Sequence, residues 1–475
     1  MPGIDRGVME GALGHIWRLS GLPKTSLEQV SFQADRRTLP SSFHVAEAAS
    51  ATIAASGLAA GELWRLRTGE SQQVNVSTRH AEVSFLGEEH LKINGKILSM
   101  RHGPVSGLHQ CGDGRWVRIH ANFPHHEAGA LDILKCVRDR EAVKAALQNW
   151  AAQEFEDAAA ERGLVIFMMR TPEEWARHGQ AKALAGLELF DIEQIGDAPP
   201  EPLRANASAP LSGVRILDLT RVIAGPVCGR TLAGHGAQVL RVSSPRLPRD
   251  AMALEIDGGR GKRSAFIDIK DRHGNAHLER LAAEADVFVQ GYRPGAIASC
   301  GFSPERLAEL RPGIVSVSLS AWGHEGPWAG RRGFDSLVQT ASGINAAEAA
   351  AAGFDGPKPL PCQALDHCSG YLLALGAMAG LYKRATVGGS WRVRVALART
   401  GRWLQSLGRV ENGFDEQDAT AENVSDLMAH VASEYGNLDV VTHAALLGGT
   451  PARTDRAPVP YPYDNPAAAG LPEWR

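Results

Sequence analysis

One carboxylate stands out among the residues of this chain that could do chemistry. Asp366 lies in the segment Leu360–Gly370, just ahead of an apolar run of small residues that ends at Arg384. Such a run predicts a buried helix, and the dipole and free amide groups of a helix start favour a carboxylate there. By itself this pattern predicts only a helix cap. The elements that precede Asp366 make it a candidate catalytic group.

The segment that leads up to Asp366 predicts an α/β domain beginning at Gly213. Five apolar segments read as strands, at residues 214–219, 239–242, 264–269, 287–289 and 314–319. Helices are predicted to start at Ala224-Gly225-Pro226 and to run around His277–Glu284. This alternation predicts an open, mostly parallel, Rossmann-like sheet with helices on both faces, plus a smaller α+β domain. Such sheets bind ligands at the carboxyl ends of their strands.

The glycine pattern argues against an ordinary dinucleotide or P-loop protein. The first strand is followed by Thr220–Pro226 rather than by the G-x-G-x-x-G turn that holds a pyrophosphate. Gly258–Arg263 is rich in glycine but lacks the spacing of a phosphate-binding P-loop. The ligand is therefore expected to be of another kind.

Several motifs in this domain resemble the class III coenzyme A transferases, the CaiB/BaiF type that includes formyl-CoA transferase and carnitine CoA-transferase. The opening run Gly213–Pro226 is similar to the start of that family, and so is an aspartate before an apolar helix that a strand follows, here Trp391–Val395. Between these two, further motifs recur in the family's order: Lys262-Arg263-Ser264, Ala285–Val289, Arg293–Ala296 and Gly333-Phe334-Asp335. The resemblance covers residues 213–400 almost continuously and suggests a rearranged or fused member.

The resemblance implies a chemistry that suits Asp366. Its carboxylate would attack the carbonyl of an acyl-CoA and form a mixed anhydride, and the released CoA thiolate would convert this into an aspartyl-CoA thioester. An incoming carboxylic acid would then receive CoA through a second anhydride. The implied function is CoA transfer from an acyl-CoA to a carboxylic acid, with the CoA thioester as substrate and no permanently bound cofactor.

Seven residues are expected, by the same resemblance, to contact CoA. They lie in the turns after predicted strands or before the Gly333 motif: Ile223, Ala224, Ile269, Lys270, Tyr292, Arg293 and Arg332. Basic side chains suit the phosphates of CoA, and arginine can bind them with two hydrogen bonds. Where relatives carry an arginine soon after the second strand, this chain has Ser243-Ser244.

An internal repeat connects the beginning of the chain to the segment around Asp366. Nine residues near the beginning of the chain recur with the same identity 319 positions later. They are Ser50, Gly57, Ala60, Gly61, Arg65, Gly69, Ser71, Val74 and Val76, and their counterparts are Ser369, Gly376, Ala379, Gly380, Arg384, Gly388, Ser390, Val393 and Val395. At this offset Asp366 corresponds to Glu47. Because no sheet-forming sequence precedes Glu47, we expect it to have a structural role rather than to be a second nucleophile.

The repeat and the resemblance together predict the domain organisation. We expect an N-terminal helical segment with the partial repeat (1–99), a small α+β domain (100–197), a linker (198–212), the CoA-binding core (213–400) and a C-terminal helix and tail (401–475). In the family the small domain follows the core, whereas here it precedes the core. The chain is therefore interpreted as two fused copies, the first without its core and the second without its small domain.

The composition is consistent with an enzyme that acts on small molecules. A net charge of −3 gives no reason to expect binding to nucleic acid or to an anionic membrane surface. No signal peptide, long apolar segment or disulfide-type cysteine spacing is apparent, which predicts a reduced, cytoplasmic protein. His120, His125, His126 and Glu127 could suggest a metal site, but we expect plain surface residues there.

Two other functions remain open. The 2-methylacyl-CoA racemases share this architecture, but those we compare carry a histidine where this chain has Phe334, and His367 would point elsewhere. A rearranged fusion could also be a catalytically inactive CoA-binding subunit. Family members interlock as dimers, so a homodimer is expected here, unless the duplicated helix at 47–65 has replaced the partner.

Overall fold

The computed structural model describes residues 3–34, 37–98, 103–415, 424–453, 456–462 and 473–474. Its α-helices are α1 (Arg6–Ser20), α2 (Val45–Thr68), α3 (Thr78–Ser84), α4 (Gly87–His90), α5 (Pro124–Leu134), α6 (Arg140–Leu147), α7 (Ala152–Glu161), α8 (Pro172–Arg177), α9 (Gly179–Leu184), α10 (Ala224–Gly234), α11 (Met252–Gly259), α12 (Arg272–Ala283), α13 (Pro304–Leu310), α14 (Asp335–Ala341), α15 (Ile344–Ala352), α16 (Ala364–Thr386) and α17 (Leu397–Ser406). Its strands are β1 (Val30–Gln33), β2 (Val74–Ser77), β3 (Lys92–Ile93), β4 (Lys96–Ile97), β5 (Gly107–Gln110), β6 (Trp116–Ile119), β7 (Ile166–Met168), β8 (Phe190–Gly196), β9 (Arg215–Leu219), β10 (Gln238–Ser243), β11 (Lys262–Phe266), β12 (Val287–Gln290), β13 (Val315–Ser320), β14 (Ser390–Ala396), β15 (Met428–Ser433), β16 (Gly436–Val441) and β17 (Ala445–Leu447). Short 3-10 turns lie at Lys24–Gln29, Ala298–Cys300 and Ser425–Leu427.

The largest sheet has seven strands in the order β11-β10-β9-β12-β13-β14-β8. The first six are parallel, and β8 joins β14 in the antiparallel direction. Counted from β9, the parallel strands follow the order 3-2-1-4-5-6 of doubly wound α/β sheets. The predicted mostly parallel α/β sheet is confirmed. Its order reverses between β9 and β12, where sheets of this kind bind their ligands.

Helices cover both faces of this sheet because side chains alternate along each strand. On β12, Val287 and Val289 belong to the core that includes α10 and α16, whereas Phe288 packs with residues of α12 and α13. Strands that are buried on both faces read as nearly continuous apolar runs. This is why the sequence shows them so clearly.

The internal repeat is visible in the packing. The helices α2 and α16 lie against each other. Gly376 on α16 is so close to Val393 that an added Cβ would stand 2.4 Å from its Cγ1, and Gly57 on α2 meets Val74 in the same way at 2.9 Å. These glycines and valines are the pairs that the offset of 319 residues matches. Both copies therefore dock their helix on the following strand through the same contact.

Each half of the chain supplies a strand to the sheet of the other half. In a three-stranded sheet, β2 has β1 parallel on one side and β17 antiparallel on the other, just as β14 has β13 and β8. The antiparallel pairings have the same register in the two copies. Ala445 and Leu447 of β17 pair with Val76 and Val74, and Phe190 and Ile192 of β8 pair with the equivalent residues Val395 and Val393. β8 precedes the second copy and β17 follows it. The antiparallel strand thus always comes from the other half.

The structure moves two of the expected boundaries. β8 falls within the range assigned to the small domain but belongs to the core sheet, where Asp191 accepts a 2.9 Å hydrogen bond from Arg394 of β14. α17 starts at Leu397, and β15, β16 and β17 follow where only a tail was expected. Two of them, β16 and β17, pair with strands of the N-terminal half, which their own sequence does not reveal. The predicted tail at 458–466 lies partly outside the described residues.

A smaller unit stands between the two copies. β5, β6 and β7 form an antiparallel sheet, and α5, α6 and α7 pack on it around a separate apolar core. α6 and α7 are separate helices, divided by the short segment from Gln148 to Ala151. A carboxylate oxygen of Asp113 accepts the amide of Ala152 at 3.0 Å and fixes the start of the second one.

Candidate functional site

Asp366 lies in the first turn of α16, as its third residue. Gln363 occupies the capping position, so the expectation of a simple cap is wrong. The amide of Asp366 instead donates a 2.9 Å hydrogen bond to Oδ2 of Asp335, the first residue of α14. Nε2 of Gln339 holds the other oxygen of Asp335 at 2.5 Å. Since a second carboxylate serves the helix end, the carboxylate of Asp366 is not used for capping.

The surroundings of Asp366 disfavour its charged form. Burial raises the pKa of Asp366 well above its ordinary value, and the negative charges of Asp335 and Glu88 raise it further. Burial also raises the pKa of Asp335 to about 6, although its hydrogen bonds act in the opposite direction. Two carboxyl groups this close do not both ionise easily. A carboxyl whose charge is only partly stabilised by its surroundings is typical of an active site.

The residue after the candidate nucleophile points away from it into the N-terminal half. His367 is fully buried, and its ring stacks on Phe85 with centroids 5.0 Å apart. Its Nε2 lies 3.3 Å from Oε1 of Glu88 on α4. The first copy thus contributes residues directly beside the candidate site.

Glu47, the counterpart of Asp366, is fully engaged in structural contacts. It is completely buried, pairs with Arg37, lies 3.2 Å from Nδ1 of His44 and accepts the amide of Asp5 at 2.9 Å. Burial acts to raise the pKa of Glu47, but these partners outweigh it and lower the pKa overall. A carboxylate held by so many donors is a poor nucleophile.

The residues expected to contact CoA come together at the carboxyl edge of the sheet. Ile223 caps α10 directly after β9, and Ile269 and Lys270 follow β11. Tyr292 follows β12, and its amide donates to the side chain of Gln290 at 2.8 Å. The neighbouring Val222 has a φ of +70°, which is costly for a β-branched residue and common at functional turns.

The candidate nucleophile lies next to this edge. Gly370, one turn after Asp366, approaches Ala224 so closely that an added Cβ would stand 2.6 Å from its carbonyl oxygen. The turn expected to bind CoA and the start of α16 are therefore in contact. A ligand held at the turn of Ile223 and Ala224 would lie close to Asp366.

Basic groups border the same region from two sides. Arg293 extends from the core, and Arg332 donates to the carbonyl oxygen of Gly163 in the small domain at 3.0 Å. Burial lowers the pKa of Arg332, and the nearby charge of Arg293 lowers it further. Burial and the charges of Arg332 and Arg221 likewise lower the pKa of His125. Positive groups that lie close enough to repel one another are suited to an anionic ligand.

Of the three histidines expected to be plain surface residues, His125 is exposed, whereas His120 is half-buried and His126 is buried. The ring of His120 stacks on Phe334 with centroids 3.8 Å apart and planes 7° apart. His126 is buried, and burial together with His125 and Arg332 lowers its pKa to about 4. Within the described ranges, no group of three or more His, Cys, Asp or Glu side chains is arranged to hold a metal ion.

Several residues of the site were missed by reasoning from the sequence. Asp335 was visible in the motif Gly333-Phe334-Asp335, but its pairing with the start of α16 depends on the fold. Glu88 and Phe85 carry no local signal at all, because only the packing of the two copies brings them to His367. Arg118 lies at a polar position of the strand β6, in which buried and half-buried residues alternate.

Comparisons with known proteins identify the family of this chain. Residues 19–200 and 211–439 match the model of CoA-transferase family III. An acyl-CoA transferase of Gibberella moniliformis is 30% identical over 303 residues, which cover 60% of this chain and 53% of that protein. Succinyl-CoA:glutarate CoA-transferase of Mus musculus is 35% identical over 191 residues, or 38% of this chain and 43% of that protein. Formyl-CoA:oxalate CoA-transferase of Escherichia coli is 31% identical over 204 residues, or 40% of this chain and 48% of that protein.

The chain spans about half the length of these curated relatives. Among solved structures, Rv3272 of Mycobacterium tuberculosis is 31% identical, covers 42% of this chain and 59% of its own, and superimposes with a TM-score of 0.40. None of the helices in the described residues is both long and apolar enough to cross a membrane.

Proposed function

The chain belongs to CoA-transferase family III, and we propose that it moves CoA from an acyl-CoA thioester to a carboxylic acid with Asp366 as the nucleophile. One observation carries this proposal. Asp366 is a buried carboxylate in the first turn of α16, the next turn of this helix contacts Ala224 through Gly370, and Asp335 accepts the amide of Asp366. The relatives named as CoA-transferases support the same reaction class.

The proposed reaction proceeds through four attacks on carbonyl carbon. The ionised Asp366 carboxylate adds to the thioester carbonyl and expels the CoA thiolate, which leaves a mixed anhydride. The thiolate then attacks the aspartyl carbonyl and releases the donor's carboxylate as the first product. The acceptor carboxylate attacks the aspartyl-CoA thioester and expels the thiolate again. Attack of this thiolate on the acceptor's carbonyl gives the new acyl-CoA and regenerates Asp366.

The described residues have separate parts in this proposal. Asp335 keeps the start of α16 in place through the amide of Asp366. Arg293, Arg332 and Lys270 are proposed to bind the phosphates of CoA, and Ile223, Ala224, Ile269 and Tyr292 its remaining parts. Since only the ionised Asp366 attacks, its raised pKa predicts a rate that increases with pH on the acid side.

We propose a reducing, cytoplasmic location for this enzyme. The cysteines among the described residues are free thiols, the usual state in that compartment. No permanently bound cofactor is needed, because the reaction consists only of acyl and thiolate transfers.

The test uses the pure protein with a panel of acyl-CoA donors and carboxylic acid acceptors, followed by mass spectrometry of the CoA esters. Transfer is expected for the unmodified chain and is expected to be lost in Asp366→Asn, because an amide cannot form the anhydride. Hydroxylamine added with acyl-CoA should derivatise Asp366 and leave Glu47 unlabelled. Full transfer by the Asn variant would disprove the proposed nucleophile.

A CoA-ester racemase is the second candidate, and one observation favours keeping it. His120 lies against Phe334, so an imidazole is close to the segment that carries Asp335. A racemase needs a base and an acid at the α-carbon. In deuterated water, a transferase moves CoA to a second acid without exchanging the α-proton, whereas rapid α-deuteration without an acceptor would identify the racemase.

A further inference from the structure

Strand β6 lies between the core of the small domain and α14, the helix that starts with Asp335. Its residues alternate, since Val117 and Ile119 are buried in the apolar core of the small domain. Trp116, Arg118 and His120 therefore share the opposite face of the strand. That face contacts the catalytic half of the chain at two points. His120 stacks on Phe334, and an added Cβ on Gly356 would stand 3.4 Å from Cζ2 of Trp116.

Arg118 lies between these two contacts, and its guanidinium is not paired. Its Nη1 is buried and has no hydrogen-bond partner. Among the residues that the structure describes, no carboxylate oxygen forms an ion pair with it. Burial lowers the pKa of Arg118, and the negative charge of Asp335 is near enough to oppose this effect. The arginine is therefore close enough to Asp335, the partner of the Asp366 amide, to interact with its charge.

Arg118 is half-buried, and a guanidinium nitrogen that is buried without a hydrogen-bond partner is energetically unfavourable, so an entering carboxylate would relieve this cost. The planar fork of arginine fits a carboxylate through two parallel hydrogen bonds. The proposed reaction brings such a carboxylate close to two acidic side chains, Asp335 and Asp366. Without a positive group, Asp335 and Asp366 would repel the acceptor.

We propose that Arg118 binds the carboxylate of the acceptor acid, so that the small domain selects acceptors while the core binds CoA. This inference rests on the proposed transferase function and assigns the second substrate's site to a residue outside the core. Either the reacting carboxylate or, in a dicarboxylic acid, the distal one would have this chemistry. If Arg118 binds the distal carboxylate, its substitution should affect only dicarboxylic acceptors. If it binds the reacting carboxylate, monocarboxylic acceptors should be affected as well.

The test separates the two halves of the reaction in Arg118→Gln and Arg118→Lys. Formation of aspartyl-CoA from the donor, measured by hydroxylamine trapping at Asp366, should be unchanged. The KM for the acceptor should rise about tenfold or more in Arg118→Gln, because a charged double hydrogen bond is lost. Arg118→Lys should recover part of the binding, since it keeps the charge but not the fork.

Arg115→Gln is the matched control. Arg115 is on the same hairpin, but its guanidinium is already paired with Glu174 of α8 at 2.7 Å. Its loss should therefore leave the acceptor KM unchanged. Thermal unfolding of all three variants checks that the fold is intact. An unchanged acceptor KM in Arg118→Gln, or an equal loss in the donor half-reaction, would overturn the assignment. If the unmodified protein transfers no CoA to any acceptor, the proposed function itself fails, which is a separate result.

Discussion

Replacing the two equivalent carboxylates of the repeat by their amides is expected to change stability in opposite directions. Asp366 occupies the position of Glu47 in the other copy, yet the pKa of Asp366 is raised and that of Glu47 is lowered. Because the two carboxylates occupy equivalent positions of the repeat, their amide substitutions can be compared directly. Asp366→Asn should stabilise the protein near pH 8, whereas Glu47→Gln should destabilise it.

The sign for Asp366 follows from its protonation in the folded and unfolded chain. Because burial, Asp335 and Glu88 raise its folded-state pKa, the folded protein keeps a proton that the unfolded chain loses near pH 4. Stability is therefore highest below the unfolded pKa and falls as pH rises through the folded pKa, by about 1.4 kcal/mol for each unit of difference. Asn has no charge to desolvate, so we expect a gain of about 1–3 kcal/mol at pH 8 and little difference near pH 4.

The opposite sign applies to Glu47. Its folded-state pKa is depressed, so its contribution is present above the unfolded pKa and is lost as pH falls through the folded one. Glu47→Gln leaves the buried Arg37 without its carboxylate. Breaking a buried pair in this way costs about 3–5 kcal/mol.

The assay is urea unfolding of the unmodified protein and both variants at pH 5 and pH 8, followed by fluorescence of the buried tryptophans. We expect the midpoint of Asp366→Asn to exceed that of the unmodified protein at pH 8 and the midpoint of Glu47→Gln to fall below it. If Asp366→Asn is less stable than the unmodified protein at pH 8, Asp366 is stabilised by its surroundings and the electrostatic argument is refuted.

Three further predictions concern the arrangement around the two copies. Glu88→Gln removes a negative charge from the vicinity of Asp366, so the acid limb of its kcat/KM profile should move to lower pH by about 0.5–1 unit, and an unshifted limb would contradict this. Gly376→Ala should lower the free energy of unfolding by about 1–3 kcal/mol and reduce activity, because the new methyl group collides with Val393 and pushes α16 off β14, as thermal unfolding and the transfer assay would show. Light scattering at micromolar concentration should give 50.8 kDa, because α2 already packs on α16 within one chain; a doubled mass would instead support the homodimer expected from the sequence.

The sequence predicted the core of the fold well because its evidence is local. β12 is apolar on both faces except at its last residue, and the other strands of the sheet carry runs of apolar residues on at least one face. Pro226 near the start of α10 and the apolar run of small residues in α16 are local signals as well. The offset between Gly57 and Gly376 likewise depends only on spacing. In contrast, the contacts of Glu88 with His367 and of Asp335 with Asp366 join distant segments, which no local pattern specifies. β17 and β8 were missed or misassigned for the same reason, since their partners lie in the other half of the chain.

The exchange of strands explains why the first copy is kept although its carboxylate is occupied. β14 carries the segment that follows the catalytic helix, and its outer edge is covered by β8, which precedes the linker. Removing the first copy would also remove Phe85 and Glu88, which hold His367 immediately after Asp366. Without the first copy, β14 would become an exposed edge strand, and the buried His367 would lose its partners. The second copy therefore depends on the first for the shape of the candidate site, and Glu47 of the first copy can serve as a structural anchor if Asp366 is the nucleophile, as we propose.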